Sequence, residues 1–427
     1  MTEKSIMKSL KPYLIFFLAG LFLCFNMALQ VSVSVASAHF MHALNLSATG
    51  VGVVSATYYF SYTAMQAPSG FLFDKFSSKK VMATGLLFCL IGTVLFALSK
   101  SAAIAAIGRF LTGFGSAFSF VAVLYVAAQW FSQRYFAFIA GLTMVLAALG
   151  SICGQGPMSM LIQHFGWRQA MLLFVVIGFI VMLLILVIVQ DNPDHKHVIT
   201  ENTSISFTKA LAILIKNKQI CLIAGYAFAI WAPITCFASL WGVPFIRRAY
   251  DISTTEAGFV SSVIWIGIGL GSPLFGWLSD TIEKRKILLI LVAAIGCVSS
   301  ALVVYTRLPI WLLYLMLFLF GIGAAGQSLS FAILKDNTPT HITATAVGIN
   351  NMAVVFSGFI FQPLVGWLLN LAHRHKSSHH INQYSLSDYH IALMVVPLCF
   401  LLSLLIAWLF LKETNARSLH DDNQQAH

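Results

Sequence analysis

The sequence predicts an all-α membrane protein of twelve transmembrane helices, arranged as two pseudo-symmetric six-helix bundles. Three observations predict it. Apolar residues make up 59% of the 427-residue chain and charged residues only 9%, against roughly 25% charged in soluble domains. Apolar runs of about 20 residues, the length that crosses a hydrocarbon core, recur twelve times. The junction Gly70-Phe71-Leu72-Phe73-Asp74 with Lys79-Lys80 returns 206 positions later as Gly276-Trp277-Leu278-Ser279-Asp280 with Arg285-Lys286. Such a return marks a duplicated membrane unit.

The first apolar run, 12–34, follows Lys4, Lys8 and Lys11. At about 23 residues it exceeds the 7–15 of a signal-peptide core, so it is read as a span and not a cleaved leader. Asn26 and Gln30, four apart, share one face of it. The second run, 49–72, carries the i, i+4, i+8 stripe Tyr58, Tyr62, Gln66 and ends in the first Gly-x-Leu-x-Asp loop. The third, 81–99, starts at Lys79-Lys80. The fourth, 102–126, holds Arg109 and Gly113-Phe114-Gly115, and the fifth, 136–161, holds Gln155-Gly156-Pro157. The sixth is 168–190.

The second half follows the same plan. The seventh run, 219–245, has Tyr226, Trp231 and Thr235 around Pro233, where a proline frees a carbonyl and bends the helix. The eighth, 255–279, ends in the second loop, and the ninth is 286–305. The tenth, 308–333, repeats the glycine pair as Gly321-Ile322-Gly323 and adds Gln327. The eleventh, 343–371, contributes Asn350, Asn351 and Gln362-Pro363, and the twelfth is 391–412. Residues 1–190 thus form one bundle, 191–218 a polar linker opening Asp191-Asn192-Pro193-Asp194, and 219–427 the other bundle.

With the N-terminus inside, 17 of the 25 Lys and Arg fall on cytoplasmic segments and 7 on external ones, with Arg109 left inside a span. The positive-inside rule therefore puts both termini and the linker in the cytoplasm. The net charge of +11 is a topology signal. No basic domain stands outside the spans, which excludes a nucleic-acid binder. All seven cysteines fall within predicted spans without metal-ligand spacing, so neither disulfides nor a metal centre are expected. No nucleophile–histidine pair or paired carboxylates lie within a span, which argues against an enzyme, and no cofactor motif is present.

At this point the chain resembles the major facilitator superfamily across nearly its whole length. The Gly-x-Leu-x-Asp loop with its basic cluster looks like that superfamily's most diagnostic motif and occurs twice. Arg109-Phe-Leu-Thr-Gly113-Phe-Gly115 resembles its fourth-span motif. Gly141, Gly150 and Gly154 match its fifth-span glycine spacing, but Gln155 and a delayed Pro157 stand where proline usually follows directly. That pattern is associated with drug/proton antiporters, and the departure weakens the association. The resemblance implies two bundles that rock around a central cavity. It also implies gating at Gly70, Asp74, Lys79 and Lys80, and at Gly276, Asp280, Arg285 and Lys286. The plain alternative is that these charges only orient the hairpins.

The 14 acidic residues all fall in loops, tails or span ends. The intramembrane carboxylate expected of many proton-coupled or cation-exporting transporters is therefore missing. Arg109 is the one charge well inside a span, on the order of 10 Å deep at about 1.5 Å per residue. Either it holds an anionic group of the substrate, or it bonds backbone carbonyls or Asn26 and Gln30. The candidate substrate-binding set is Arg109, Asn26, Gln30, Tyr58, Tyr62, Gln66, Gln155, Tyr226, Trp231, Gln327, Asn350 and Asn351. His39, His42 and His164 at span ends offer another route to proton coupling. A looser set, His373, His375, His379, His380 and His390, is read as a solvated loop.

The leading expectation is a secondary transporter of the bacterial inner membrane that moves a small polar organic solute by alternating access, an anion where Arg109 is the group that binds it. Import, as in symport, is favoured over export. Its partners are the substrate, the bilayer and a coupling ion such as a proton, and a monomer is expected. A drug or metabolite exporter working as a proton antiporter is the alternative within transport. A transporter-like solute sensor is the alternative from another class.

Overall fold

The structure, a computed structural model, describes residues 3–131, 133–192, 207–339, 342–374 and 384–416. Positions 193–206 of the predicted linker, His375, His379 and His380, and the chain beyond 416 lie outside the described residues. Among the described residues every regular element is a helix.

Eleven helices are long and apolar enough to cross a bilayer, and the remaining predicted span is the 28-residue helix Ala48–Lys75. The first half comprises Glu3–Ala43, Ala48–Lys75, Ser78–Ala97, Ala102–Trp130, the pair Gln133–Cys153 and Gly156–Phe165, and Trp167–Ile188. The second half comprises Lys218–Tyr250, Thr254–Thr281, Arg285–Tyr305, the pair Ile310–Ala324 and Gly326–Asp336, Thr343–Arg374, and Leu386–Phe410. These are called the first to twelfth spans below. A ten-residue helix, Phe207–Lys216, lies within the predicted linker. Only 22% of the sixth span's apolar window is buried, which leaves that helix turned to lipid.

Local breaks have local causes. In the fifth span the helix interrupts at Gln155, two residues before Pro157, whose missing N–H suits the start of a new helix. In the seventh span Pro233 is followed by eight residues of π-helix, Ile234–Trp241. Proline removes one intrahelical bond, and the wider turn that follows rehouses the freed carbonyls.

With no hydrophobic drive to bring helices together in lipid, close packing of small residues does the work. A Cβ on Gly113 would stand 2.0 Å from the Tyr58 carbonyl oxygen, and one on Gly321 would stand 2.0 Å from that of Ile264. The fourth span therefore seats on the second, and the tenth on the eighth, through the same backbone contact 206 to 208 positions apart. The second glycine of each pair faces the next helix, Gly115 meeting Gly85 and Gly323 meeting Gly296.

Between the halves, the second span packs on the eleventh and the fifth on the eighth. On the face away from the termini, the Ala48 N–H donates to Tyr384 Oη at 3.0 Å and Asn370 Nδ2 donates to Thr49 Oγ1 at 2.7 Å. Thr255 Oγ1 donates to Gln163 Oε1 at 3.0 Å on the same side. Burial pushes the Tyr384 phenol up from its ordinary range, so it keeps the proton that it donates to Asn370 Oδ1 at 2.6 Å. Toward the termini, Asn351 Nδ2 donates to Gln66 Oε1 across the halves at 2.7 Å. Beyond it, positions Gly70 and Gly276 have nothing within 4 Å of where a Cβ would stand. Among the described residues the bridges between halves thus gather at the far face and around the middle, and the glycines of both Gly-x-Leu-x-Asp loops border open space.

Gly113→Ala and Gly321→Ala should each cost about 1–3 kcal/mol through overpacking and lower the thermal midpoint of the detergent-purified protein. Gly70→Ala and Gly276→Ala should leave it unchanged. Equal midpoints for all four variants would contradict this packing.

Candidate functional site

A cavity of about 90 Å³ lies at the meeting of the two halves. Its walls come from the first span (Leu23, Met27, Gln30), the second (Tyr58, Tyr59, Tyr62), the fourth (Phe120) and the fifth (Met144, Ala147, Ala148). Across from these stand Trp231, Trp265 and Ile268, Gln327, and Asn351, Val354 and Val355. The lining is itself a repeat. Tyr59 and Tyr62 correspond to Trp265 and Ile268 at an offset of 206, whereas Phe120 and Gln327, 207 apart on the fourth and tenth spans, stand one position out of the 208 register of those spans' glycines. Met144, Ala147 and Ala148 correspond to Asn351, Val354 and Val355 at 207. Duplicated helices thus present the same positions to one central space, and substitution has made the two walls different. The first half supplies three phenols and one amide, and the second supplies two amides and two indoles.

The polar groups are held but not exhausted. Gln30 Nε2 donates to Tyr59 Oη at 3.1 Å and Gln30 Oε1 accepts from Tyr58 Oη at 3.4 Å. Trp265 Nε1 is buried with no partner, so it remains a donor for a ligand. No carboxylate lines the cavity.

Six of the twelve residues proposed from the sequence line this space: Gln30, Tyr58, Tyr62, Trp231, Gln327 and Asn351. The other six sit elsewhere for identifiable reasons. Asn26 Oδ1 accepts from Ser116 Oγ at 2.9 Å and Cys89 Sγ at 3.1 Å, tying the first span to the third and fourth. Tyr226 Oη donates to the Leu289 carbonyl at 3.1 Å, and Asn350 Nδ2 to Ser330 Oγ at 2.9 Å, both inside the second half. Gln66 bridges to Asn351 below the cavity. Gln155 Nε2 donates to the Ala238 carbonyl on the π-helical stretch at 2.6 Å, which makes it part of the far-face closure.

Arg109 lies one layer behind the wall. It is 3% exposed, its Nη1 donates to the Leu29 carbonyl at 3.2 Å, and its guanidinium sits 4.6 Å from the centre of the Tyr58 ring. Nε and Nη2 have no partner, and no acidic residue pairs with it among the described residues. A tyrosine face stabilises a desolvated guanidinium by about 2 kcal/mol, less than the roughly 2.5–3.5 kcal/mol cost of burying it in a membrane. Arg109 thus stays a charge without a counter-ion, separated from the cavity by the Tyr58 ring. Tyr59 and Trp265 were missed by reading polar stripes, because the tyrosine stripe was drawn through 58, 62 and 66 and indoles count as apolar. The repeat offset links them and would have found one from the other.

The two loops at the terminus-side face differ in their pairing. Arg285 is buried and donates through Nε to Asp336 at 2.6 Å and through Nη1 to Asp280 at 3.0 Å and Ser279. Glu413, just after the twelfth span, accepts from the Arg285 and Lys286 backbone N–H groups, both at 2.9 Å. In the first half Asp191, just after the sixth span, accepts from the Ser78 N–H at 2.9 Å and from its hydroxyl. Each half therefore ends on a carboxylate that caps the helix following its loop, where the helix dipole favours an anion. Asp74 is exposed and Lys75 Nζ lies 5.7 Å from the Phe71 ring centre.

The second cavity, about 340 Å³, opens at the far face between the first and seventh spans and is lined in part by Arg247 and Arg248.

The family model described as Major Facilitator Superfamily matches residues 16–243 and 233–426. The chain is 25% identical over 399 residues to the probable galactarate/D-glucarate transporter GarP of Escherichia coli (strain K12), covering 84% of this chain and 89% of that one. It is 24% identical over 379 residues to the uncharacterized transporter YybO of Bacillus subtilis (strain 168), with 80% and 84% covered. It is 25% identical over 278 residues to the probable sulfoacetate transporter SauU of Cupriavidus necator, with 60% and 62% covered. Its fold matches the bacterial homolog of the human lysosomal transporter Spinster, solved inward-facing and unoccupied, at a TM-score of 0.75 and 15% identity over 96% of this chain and 98% of that one. The D-xylose-proton symporter matches at 0.72 and 16%, over 96% and 100%. On the family match across both halves and on this fold, the chain is a multi-pass membrane transporter and not an enzyme, and it belongs to the Major Facilitator Superfamily.

Proposed function

We propose that this transporter imports a small hydroxylated organic anion, of the sugar-acid kind, across a bacterial inner membrane by alternating access, with both termini in the cytoplasm. One observation carries the reading. The central cavity offers phenols, amides and indole N–H groups without a carboxylate, and the charge behind its wall is the unpaired Arg109. Such a lining repels no anion and hydrogen-bonds hydroxyls, while the aromatic rings of Tyr59, Trp231 and Trp265 give flat faces to a carbon chain. The similarity to GarP, a probable galactarate/D-glucarate transporter, and to SauU, a probable sulfoacetate transporter, supports an anionic cargo. The orientation rests on the excess of Lys and Arg on the terminus side. In that orientation the hydrogen bonds of Tyr384, Asn370 and Thr255 between the halves lie on the outside.

Gating belongs to the same proposal. Asp280 is exposed, so releasing it from Arg285 costs little, whereas Arg285 and Asp336 are both buried. Asp280 can therefore exchange partners as the halves tilt while Asp336 holds the arginine in place.

Cells expressing the chain should accumulate radiolabelled D-glucarate, and Arg109→Gln should lower that uptake at least about tenfold, the loss of one desolvated charge interaction, while the protein still purifies as a folded monodisperse species. Undiminished uptake in that variant would remove Arg109 from any role toward the cargo. Asp336→Asn should lower the thermal midpoint, since breaking a buried pair costs about 3–5 kcal/mol. Asp280→Asn should instead slow switching between inward- and outward-open states, read by cysteine accessibility, with little loss of stability. A reversed pattern for the two aspartates would contradict the proposed division of labour.

A further inference from the structure

The two cavities are stations on one path. Along the first span, Met27 and Gln30 line the central cavity, and Ser34, Ser37 and Met41 line the outer one. These positions recur at three or four residues, so a single face of the helix runs from one space to the other. On the seventh span Trp231 lines the central cavity and Trp241 the outer one. Between them lies the π-helical stretch Ile234–Trp241, braced by Gln155 on the Ala238 carbonyl and by Trp241 Nε1 on the Gln362 carbonyl at 3.1 Å. That stretch is the partition.

The outer space is the larger, about 340 Å³ against about 90 Å³. Arg247 and Arg248 line it, both exposed, and neither is ion-paired among the described residues. As residues of the last turn of Gly242–Tyr250 they also offset that helix's negative end. One carboxylate, Asp251, shares the rim, so the three formal charges sum to +1. The hydroxyls of Ser34 and Ser37 donate to carbonyls of their own helix, at 2.7 and 2.9 Å, which leaves their lone pairs free to accept from a ligand hydroxyl. Guanidinium forks for a carboxylate or sulfonate and acceptors for hydroxyls stand together.

Building on the proposed import of a hydroxylated organic anion, we infer that this outer vestibule is a second binding site, which collects the anion through Arg247 and Arg248 before the partition opens to the central cavity. The site holds the cargo while the inner one is still sealed, and it raises the local anion concentration at the mouth.

The test uses the charge preference of a reporter thiol, which needs no transport. Ala38 lines the vestibule and is exposed. In an Ala38→Cys variant of the full chain, modification by the anionic sulfonatoethyl methanethiosulfonate is compared with that by the cationic trimethylammonioethyl reagent, over the background of the parent chain. The anionic reagent should be favoured, and adding Arg247→Gln and Arg248→Gln should reduce the preference roughly tenfold, within the range of electrostatic focusing in a cleft. D-Glucarate should slow modification more than sodium chloride of equal ionic strength, and that protection should vanish in the double variant. Thr254→Cys is a second reporter in the same lining, should Ala38→Cys fail to fold. A preference unchanged by removing both arginines overturns the vestibule site even where uptake is normal. Absent D-glucarate uptake with the preference and its arginine dependence intact would sink the transport reading and leave the vestibule standing.

Discussion

The contact on which the rest of this structure depends is backbone against backbone, at Gly113 on Tyr58 and at Gly321 on Ile264. Lipid gives helices no hydrophobic reason to associate, so their separation is set by what stands between them. At these two places nothing does. Seating the fourth span on the second brings Arg109, one turn before Gly113, over the Tyr58 ring. The same seating aims Tyr58, Tyr59 and Tyr62 at the central space. In the other half it sets the tenth span against the eighth, and with them Gln327 and Trp265. A side chain at either glycine would push apart the wall of the cavity as well as two helices.

Most of the architecture was legible in the sequence because the bilayer enforces it. Apolar runs of the right length, a charge bias and a repeated loop leave little freedom in helix number or in the pairing of halves. The lining was less legible. A membrane helix faces apolar lipid on one side and apolar neighbours on the other, so it lacks the polar stripe that marks a soluble helix's outer face. Polar residues therefore mark places where something must be satisfied, without saying whether by a neighbour or by cargo. Asn26, Tyr226 and Asn350 spend a hydrogen bond on neighbouring helices, away from the cavity. Gln30, Gln327 and Asn351 face the cavity. Trp265 carried no mark at all, since an indole in a span reads as apolar until its N–H is seen without a partner. The break at Gln155 was half legible, because Pro157 announces an interruption but not the contact with Ala238 that it permits.

The two halves are copies in framework and not in chemistry. The glycine contacts and the carboxylate caps at Asp191 and Glu413 recur, and so do the cavity-facing positions. Where the framework recurs, the side chains differ at the points that touch the central space: Met144 against Asn351, Tyr59 against Trp265, Tyr62 against Ile268. The phenols come from one half and the indoles from the other, so a space built from repeated helices has two chemically different walls. The buried pair of Arg285 with Asp336 is a further departure, placed at the loop and away from the lining.

The π-helical stretch in the seventh span has a consequence of its own. A wide turn stores surplus chain, since closing it to α-geometry spends fewer residues per turn on the same number of turns. Releasing one residue of that surplus would advance the outer part of the helix by about 1.5 Å and rotate it by about 100°. Trp241 closes the stretch, and Arg247 and Arg248 lie beyond it. They would swing together relative to Trp231 while Pro233 stayed in place. A thread with slack wound into it can turn its far end without pulling on its near end.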